Sequence, residues 1–254
     1  IIDTAQILHH HGYINKVVVI APLPLLNTWE NEIEIHGHDK QNVYQMLEGG
    51  KQRKLKKLDM LLHPVFKTRL QWAIINPDGL ANMSRELAEY KFDMVVVDES
   101  TMMKNRTTVR TKTIINLFGN APYKIIMSGN PIPKRPAEIF SQYRFIEPVV
   151  FSDRFFEFQD SFFKKDYFGN AVGFKNEKMQ AEFERRLHSK GIVRRKKDCL
   201  DLPPKIYESI YVQMSEEQQK IYNTMKKEAL ISYEDKTCSA AVVLTKMLRL
   251  SQIA

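Results

Sequence analysis

The stretch "FDMVVVDESTMMKN" (92–105) runs through three consecutive valines and ends abruptly in two acids, Asp98 and Glu99. A β-branched apolar run without polar alternation reads as a strand covered on both faces, the mark of a parallel sheet. Its acidic tip has two readings. A buried strand ends in any polar residue where it meets solvent. A pair of acids at that place is also how nucleotide hydrolases hold magnesium and water. Asp98 would then hold Mg²⁺ through its water shell, and Glu99 would orient and polarise the attacking water.

Similar runs flank this one: "KVVVIA" (16–21), "NVYQML" (42–47), "QWAII" (71–75) and "YKIIMS" (123–128). Helical patterns separate them. "NTWENEIEIHG" (27–37) offers Asn27 as a cap and Gly37 as a stop. "RKLKKLDMLL" (53–62) gathers Leu55, Leu58, Leu61 and Leu62 on one face, and "TTVRTKTIINLFG" (107–119) runs to a terminal glycine. Strands alternating with helices imply βαβ units and an α/β, doubly wound, mainly parallel sheet over 1–148.

The pattern changes after Pro148. "FSDRFFEFQDSFFKKDYFGNAVGF" (151–174) is dense in phenylalanine and precedes a charged helix, "NEKMQAEFERRLHS" (176–189), so 149–193 reads as a helical appendage. Its phenylalanines read first as the appendage's core and second as base-stacking platforms. Then "RRKKDCLDLPPKIYESIYVQM" (194–214) gives a basic segment, a Pro-Pro stop and one alternating strand. In "SEEQQKIYNTMKKEAL" (215–230), Ser215 and Gln218 have the spacing of a reciprocal helix cap. The opening helix, "IIDTAQIL", has no capping residue before Ile1, the pattern expected of a chain cut inside an element.

The totals fit one large α/β domain plus an appendage: 254 residues, 43% hydrophobic and 27% charged. A net charge of +8 and a pI near 9.3 favour a polyanionic partner. Cys199 and Cys238 make neither metal spacing nor a disulfide framework, which points to a reducing compartment. The sequence holds no apolar stretch of membrane-spanning length and no visible signal peptide. The adjacent His9, His10 and His11 do not share one helical face and read as helix-end residues favoured by the dipole rather than as metal ligands. The basic run Lys51–Lys57 reads first as a solvated helix face and second as a phosphate contact. Arg194, Arg195, Lys196 and Lys197 read either as a phosphate-contacting hinge or as a solvated linker.

The last strand of the first domain ends in "MSGNPIPK" (127–134), which puts Ser128, Gly129 and Asn130 at the sheet edge where open α/β folds bind ligands. Two polar tips on successive strands favour a site over ordinary turns. With these motifs in place, the chain resembles the first RecA-like lobe of the Swi/Snf-type ATPases, a branch of the superfamily-two helicases. "VVVIAPLPLLNTWENEI" (17–33) resembles the segment after the nucleotide-binding helix, and "EGGKQRKLKKL" (48–58) the glycine-then-basic stretch that follows. "FDMVVVDESTMMKN" resembles the DEAH-like Walker B motif, including Lys104 and Asn105. "MSGNPIPKRPAEIFSQYRFIEP" (127–148) resembles the Thr-Gly-Thr-Pro motif and its helix. "IVRRKKDCLDLPPK" (192–205), "MSEEQQKIY" (214–222) and "LRLSQIA" (248–254) resemble the linker toward a second lobe, here 194–254.

The resemblance implies ATP and Mg²⁺ as cofactors, Asp98 at the metal and Glu99 as the water-activating residue. It implies coupling through Thr101, Ser128, Gly129 and Asn130, and DNA contacts at Lys104 and the 194–196 hinge, with double-stranded DNA as partner. Thr101 stands where the family has His. Ser128, Asn130, Pro133 and Lys134 also depart from the pattern, so the detailed coupling roles do not carry over. No G-x-x-x-x-G-K-[ST] loop occurs; Gly50-Lys51 is followed by Gln52. The expected whole is a motor in which ATP is hydrolysed between this lobe and a second one that this chain lacks, and the chain alone is expected to be inactive. The alternatives are a degenerate lobe that binds DNA or protein without catalysis, and a strand-separating helicase. The compact lobe leans toward a bacterial or viral source and the cytoplasm, or the nucleus if the source is eukaryotic.

Overall fold

The computed structural model describes residues 1–37, 42–194, 196–201, 203, 206–209, 211–234 and 240–253. The chain order begins α1 (Ile2–His10), β1 (Lys16–Ile20), α2 (Leu26–His36), β2 (Asn42–Leu47), α3 (Lys51–Leu62) and β3 (Leu70–Ile75). It continues with α4 (Pro77–Leu80), α5 (Ser84–Tyr90), β4 (Met94–Val97), α6 (Val109–Phe118), β5 (Tyr123–Ile126) and α7 (Phe140–Ile146). Then come α8 (Phe155–Phe162), β6 (Phe163–Lys165), β7 (Ala171–Phe174), α9 (Glu177–Ser189), α10 (Lys196–Cys199), α11 (Glu216–Glu234) and α12 (Ala240–Ile253).

The five apolar runs pair in parallel, in the order β2-β3-β1-β4-β5. Alternate residues of the central strands feed two separate cores. Val18, Ile20, Ala73, Ile75, Val95 and Val97 pack with Leu58, Leu61, Leu87, Ile114 and Phe145 from α3, α5, α6 and α7. Val17, Val19, Trp72, Ile74, Met94 and Val96 pack with Ile2, Ala5, Leu26, Trp29 and Ile33 from α1 and α2. This double cover is why the strands carry no polar alternation. Each fully buried valine contributes roughly 1.5–3 kcal/mol relative to exposure, so the three in β4 hold it firmly in the sheet centre.

Local signals set most element ends. Gly37 closes α2, and Gly119 closes α6. The α2 helix starts earlier than Asn27 predicts. Pro22 opens a tight turn at Leu23–Leu25 that runs straight into Leu26, so Asn27 lies inside the first turn. Asn176 caps α9 through Met179 N–H at 2.9 Å.

The segment expected to be a helical appendage carries, besides α8 and α9, the antiparallel β6–β7 hairpin. A third core joins them: Phe151, Phe158, Phe162, Phe163 and Phe183 pack with Phe140 and Tyr143 of α7. Phe151, Phe158, Phe162 and Phe163 are core residues, as the first sequence reading has them, whereas Phe156 and Phe168 are exposed. Ile1–Ile192 forms one compact unit and Val193–Ala254 another. In the second unit Ser215 and Gln218 form the reciprocal cap, with Ser215 N–H donating to Gln218 Oε1 at 3.0 Å and Gln218 N–H to Ser215 Oγ at 3.2 Å. The alternating strand expected after the Pro-Pro stop is not seen among the described residues 206–209 and 211–214. Among the described residues, no helix is long and apolar enough to cross a membrane.

Candidate functional site

Successive hydrogen bonds align the C-terminal tips of β3, β1, β4 and β5. Ala21 N–H donates to Ile75 O at 3.1 Å, Asp98 N–H to Ile20 O at 2.8 Å, and Met127 N–H to Val97 O at 2.9 Å. The chain leaves β1 toward β2 and leaves β4 toward β5, so the connections diverge between these neighbouring strands, where open α/β sheets bind ligands.

Asp98 is the first residue beyond β4. Its Oδ2 accepts the indole N–H of Trp29 at 2.8 Å, and its Oδ1 accepts Glu99 N–H at 2.8 Å. Glu99 takes the left-handed conformation, with φ of +49°. For a residue with a side chain this costs about 1–2 kcal/mol. The turn is held by the Asp98–Glu99 bond and by Ser100 N–H donating to Met127 O at 2.8 Å. Its effect is to aim the two acids at different spaces. Glu99 lines a cleft of about 700 Å³ together with Thr101, Lys104, Ser128, Gly129 and Asn130. Asp98 lines a cavity of about 430 Å³ with Asp3, Thr28, Trp29, Glu32 and His36. The sequence reading joined the acids in one site; here they share a strand tip and border separate cavities.

The loop after β5 is internally braced, since Asn130 N–H donates to Ser128 Oγ at 3.1 Å. Gly129 has open space where a Cβ would stand, so steric need does not explain the glycine. A buried relay connects this loop to the β4 tip. Ser100 Oγ donates to Gln142 Oε1 at 2.7 Å, and Gln142 Nε2 donates to Pro131 O at 2.8 Å. Gln142 is fully buried in α7. Sequence reasoning missed it, as it missed Trp29's bond to Asp98. The available signal was a glutamine on the apolar face of a short helix. It missed a third pair too: Arg110 Nη2 lies 2.7 Å from Asp78 Oδ1, and both residues line the larger cleft.

The other expectations fall as follows. Lys104 is exposed at the cleft rim. Arg194 is exposed in the second unit, Lys196 begins α10, and Arg195 and Cys238 lie outside the described residues. The basic face of α3 is partly ion-paired: Lys51 reaches Glu86 at 2.8 Å and Arg53 reaches Glu48 at 3.2 Å. The Lys51 hydrogen bond holds the Glu86 carboxyl below its usual value. His9 Nδ1 lies 2.9 Å from Ile14 O, a helix-end bond.

For Mg²⁺ and ATP, the fit of these residues is to one side of a site. Each Asp98 oxygen carries one hydrogen bond and keeps a lone pair for a metal-bound water, and Mg²⁺ is commonly held by one or two carboxylates plus substrate phosphates. Among the described residues no group of three or more His, Cys, Asp or Glu is placed to hold a metal by itself.

The same architecture occurs in the Sulfolobus solfataricus SWI2/SNF2 ATPase core solved with double-stranded DNA, at a TM-score of 0.58 and 22% identity, over 99% of this chain and 50% of that one. The uncharacterized ATP-dependent helicase MG018 of Mycoplasma genitalium is 25% identical over 251 residues, covering 93% of this chain. The chromatin structure-remodeling complex subunit snf21 of Schizosaccharomyces pombe is 28% identical over 230 residues, covering 86%. The chain spans only 21% and 18% of the lengths of these two relatives. The family model for the SNF2-related domain matches residues 3–254, and with a RecA-like sheet carrying the acid pair at its β4 tip, the chain belongs to that family.

Proposed function

We propose that this chain is the first RecA-like lobe of an ATP-dependent DNA translocase, with ATP hydrolysed between it and a second lobe in the full-length protein. The observation that carries the reading is the position of the acid pair, which follows β4 directly at the point where the connections from β1 and β4 diverge. Bound Mg²⁺ would supply charge neutralisation at the phosphates. Asp98, fixed by Trp29, would orient the metal's water shell. Glu99 would accept the proton of the attacking water. Ser128, Gly129 and Asn130 would sense that event through the Ser100–Gln142–Pro131 relay, and Lys104 with the basic segment at 194–196 would meet DNA phosphates. That ATP-dependent helicases and chromatin or DNA-repair proteins recur among the relatives supports this assignment.

In the full-length protein, Glu99→Gln keeps shape but removes the base. ATP binding is expected to persist while turnover with duplex DNA falls by about 10²–10⁴-fold, the usual scale for losing a general base. Steady-state ATPase and nucleotide titration check this, and near wild-type kcat would overturn the role. A non-catalytic lobe that binds DNA or protein is the second reading. One observation favours it: both Asp98 oxygens already accept protein hydrogen bonds. Absence of turnover in the unmodified full-length protein, with DNA binding intact, selects that reading.

A further inference from the structure

Phe151, Phe158, Phe162 and Phe163 are buried, whereas Phe156 and the two aromatic residues of the hairpin tip are exposed. Tyr167 is 97% exposed and Phe168 84%. Their rings meet edge to face at 5.6 Å. A flexible loop would let them fold back onto apolar surface; this one is built to hold them out. Asp166 Oδ1 accepts Phe168 N–H at 2.9 Å and Asn170 N–H at 2.8 Å, and Oδ2 accepts Asn170 Nδ2 at 3.2 Å. Asp166 N–H donates to Asn170 O at 3.0 Å, and Gly169 supplies the positive φ of +78° that the turn requires. At the other end, Phe163 faces Phe174 at 5.1 Å, and both rings reach Phe183 in the aromatic core. The hairpin is therefore a braced stalk with an aromatic pair at its end.

The surroundings say what such a pair meets. Residues 163–175 hold three lysines against one aspartate, and that aspartate's oxygens are taken by the turn. Lys165 pairs with Asp160 at 2.5 Å, and Lys175 donates to the Asp160 carbonyl. Lys164 is exposed and stands opposite Gly173, where a Cβ would have nothing within 4 Å. That leaves Lys164 as an exposed cation on the hairpin that carries the rings. Asp166 is held below its usual range by the Asn170 backbone N–H first, then the Asn170 side chain, Phe168 N–H and the Arg135 charge. Arg135 follows closely on Pro133, a lining residue of the large cleft. Lysine is depleted in the cores of protein–protein interfaces, whereas aromatic rings set among basic residues are the pattern that binds single-stranded nucleic acid. Inside a duplex each base face is already stacked, so the rings need an unpaired base.

We propose that Tyr167 and Phe168 form a base-stacking contact for single-stranded DNA adjoining the duplex that the lobe engages. This rests on the reading of DNA as the partner. The test uses the full-length protein without nucleotide and two probes: a blunt duplex, and the same duplex carrying an oligo-dT extension. Wild-type protein is expected to bind the extended duplex about tenfold more tightly, within the range of one or two stacked bases. The Tyr167→Ala/Phe168→Ala variant should lose that gain and keep blunt-duplex affinity, and Tyr167→Trp/Phe168→Trp should restore it. The proposal fails if wild type shows no gain from the extension, or if the alanine variant retains it. It also fails if that variant loses both probes equally or changes its oligomeric state, which would mark the tip as a structural or protein-binding element. Blunt-duplex binding without a gain from the extension refutes the hairpin alone; no binding to either probe refutes the DNA reading as well.

Discussion

At the scale of single residues, one side chain fixes Asp98 at the β4 tip. Trp29 is nearly buried and spends its only N–H on Asp98. Trp29→Phe keeps the ring in its core and removes the donor. A hydrogen bond to a charged group contributes about 1.5–3 kcal/mol, so urea denaturation should show a loss of that order. A change within experimental error of zero would mean that Asp98 does not depend on the indole. Asn130 is predicted to act differently, because it lines the cleft and only its backbone N–H takes part in the loop's bond to Ser128 Oγ. Asn130→Ala in the full-length protein should lower DNA-stimulated ATPase more than basal ATPase, and equal losses would assign the loop to chemistry or folding instead. The sheet-edge positions of Glu99 and Ser128–Asn130 were readable in the sequence because they follow successive apolar runs; Thr101 entered only through the family resemblance. Trp29 and Gln142 were not, since their partners Asp98 and Ser100 lie 69 and 42 residues away along the chain. No local pattern encodes a contact of that separation.

Among the elements, α7 ties the two loops of the cleft together. Gln142→Leu preserves volume but leaves Pro131 O and Ser100 Oγ without their partner, at a cost of about 1–3 kcal/mol. If the relay transmits nucleotide state, the ratio of DNA-stimulated to basal ATPase should fall as well; an unchanged ratio would reduce the relay to a stabilising bond. Helix α9 carries a pH dependence of known sign. Hydrogen bonds from Arg185 and then Arg186 lower the Glu182 pKa from 4.5 to about 2. A lowered folded pKa means stabilisation that is complete above 4.5 and lost as pH falls through about 2. Glu182→Gln should therefore have a lower Tm than wild type near neutral pH, with the difference vanishing near pH 2; a difference independent of pH would contradict the ion pairs. The sheet was legible because its valine and isoleucine runs have one physical meaning, burial on both faces. The hairpin was not: β6 and β7 are too short to alternate clearly, and the density of phenylalanine hid the turn at Asp166–Asn170. The strand expected after the Pro-Pro stop is not seen among the described residues there, and alternation alone does not make a sheet.

For the whole molecule, the proposed reading has DNA met as a polyanion, with the net charge of +8 as its footprint. Each phosphate contact contributes about one unit to the salt dependence of binding. This chain alone is expected to bind duplex weakly, without sequence preference, and to release it as salt rises. Tight binding insensitive to salt would mean that the net charge of +8 is not the footprint of DNA. The central claim is that hydrolysis needs this lobe's Asp98 and Glu99 together with phosphate-binding groups that the described residues do not supply. The most direct measurement is ATP turnover with and without blunt duplex, run in parallel on the full-length protein and on residues 1–254. The account predicts DNA-stimulated turnover by the full-length protein and none by the isolated chain. Robust hydrolysis by the isolated chain, or none by the full-length protein, would contradict it.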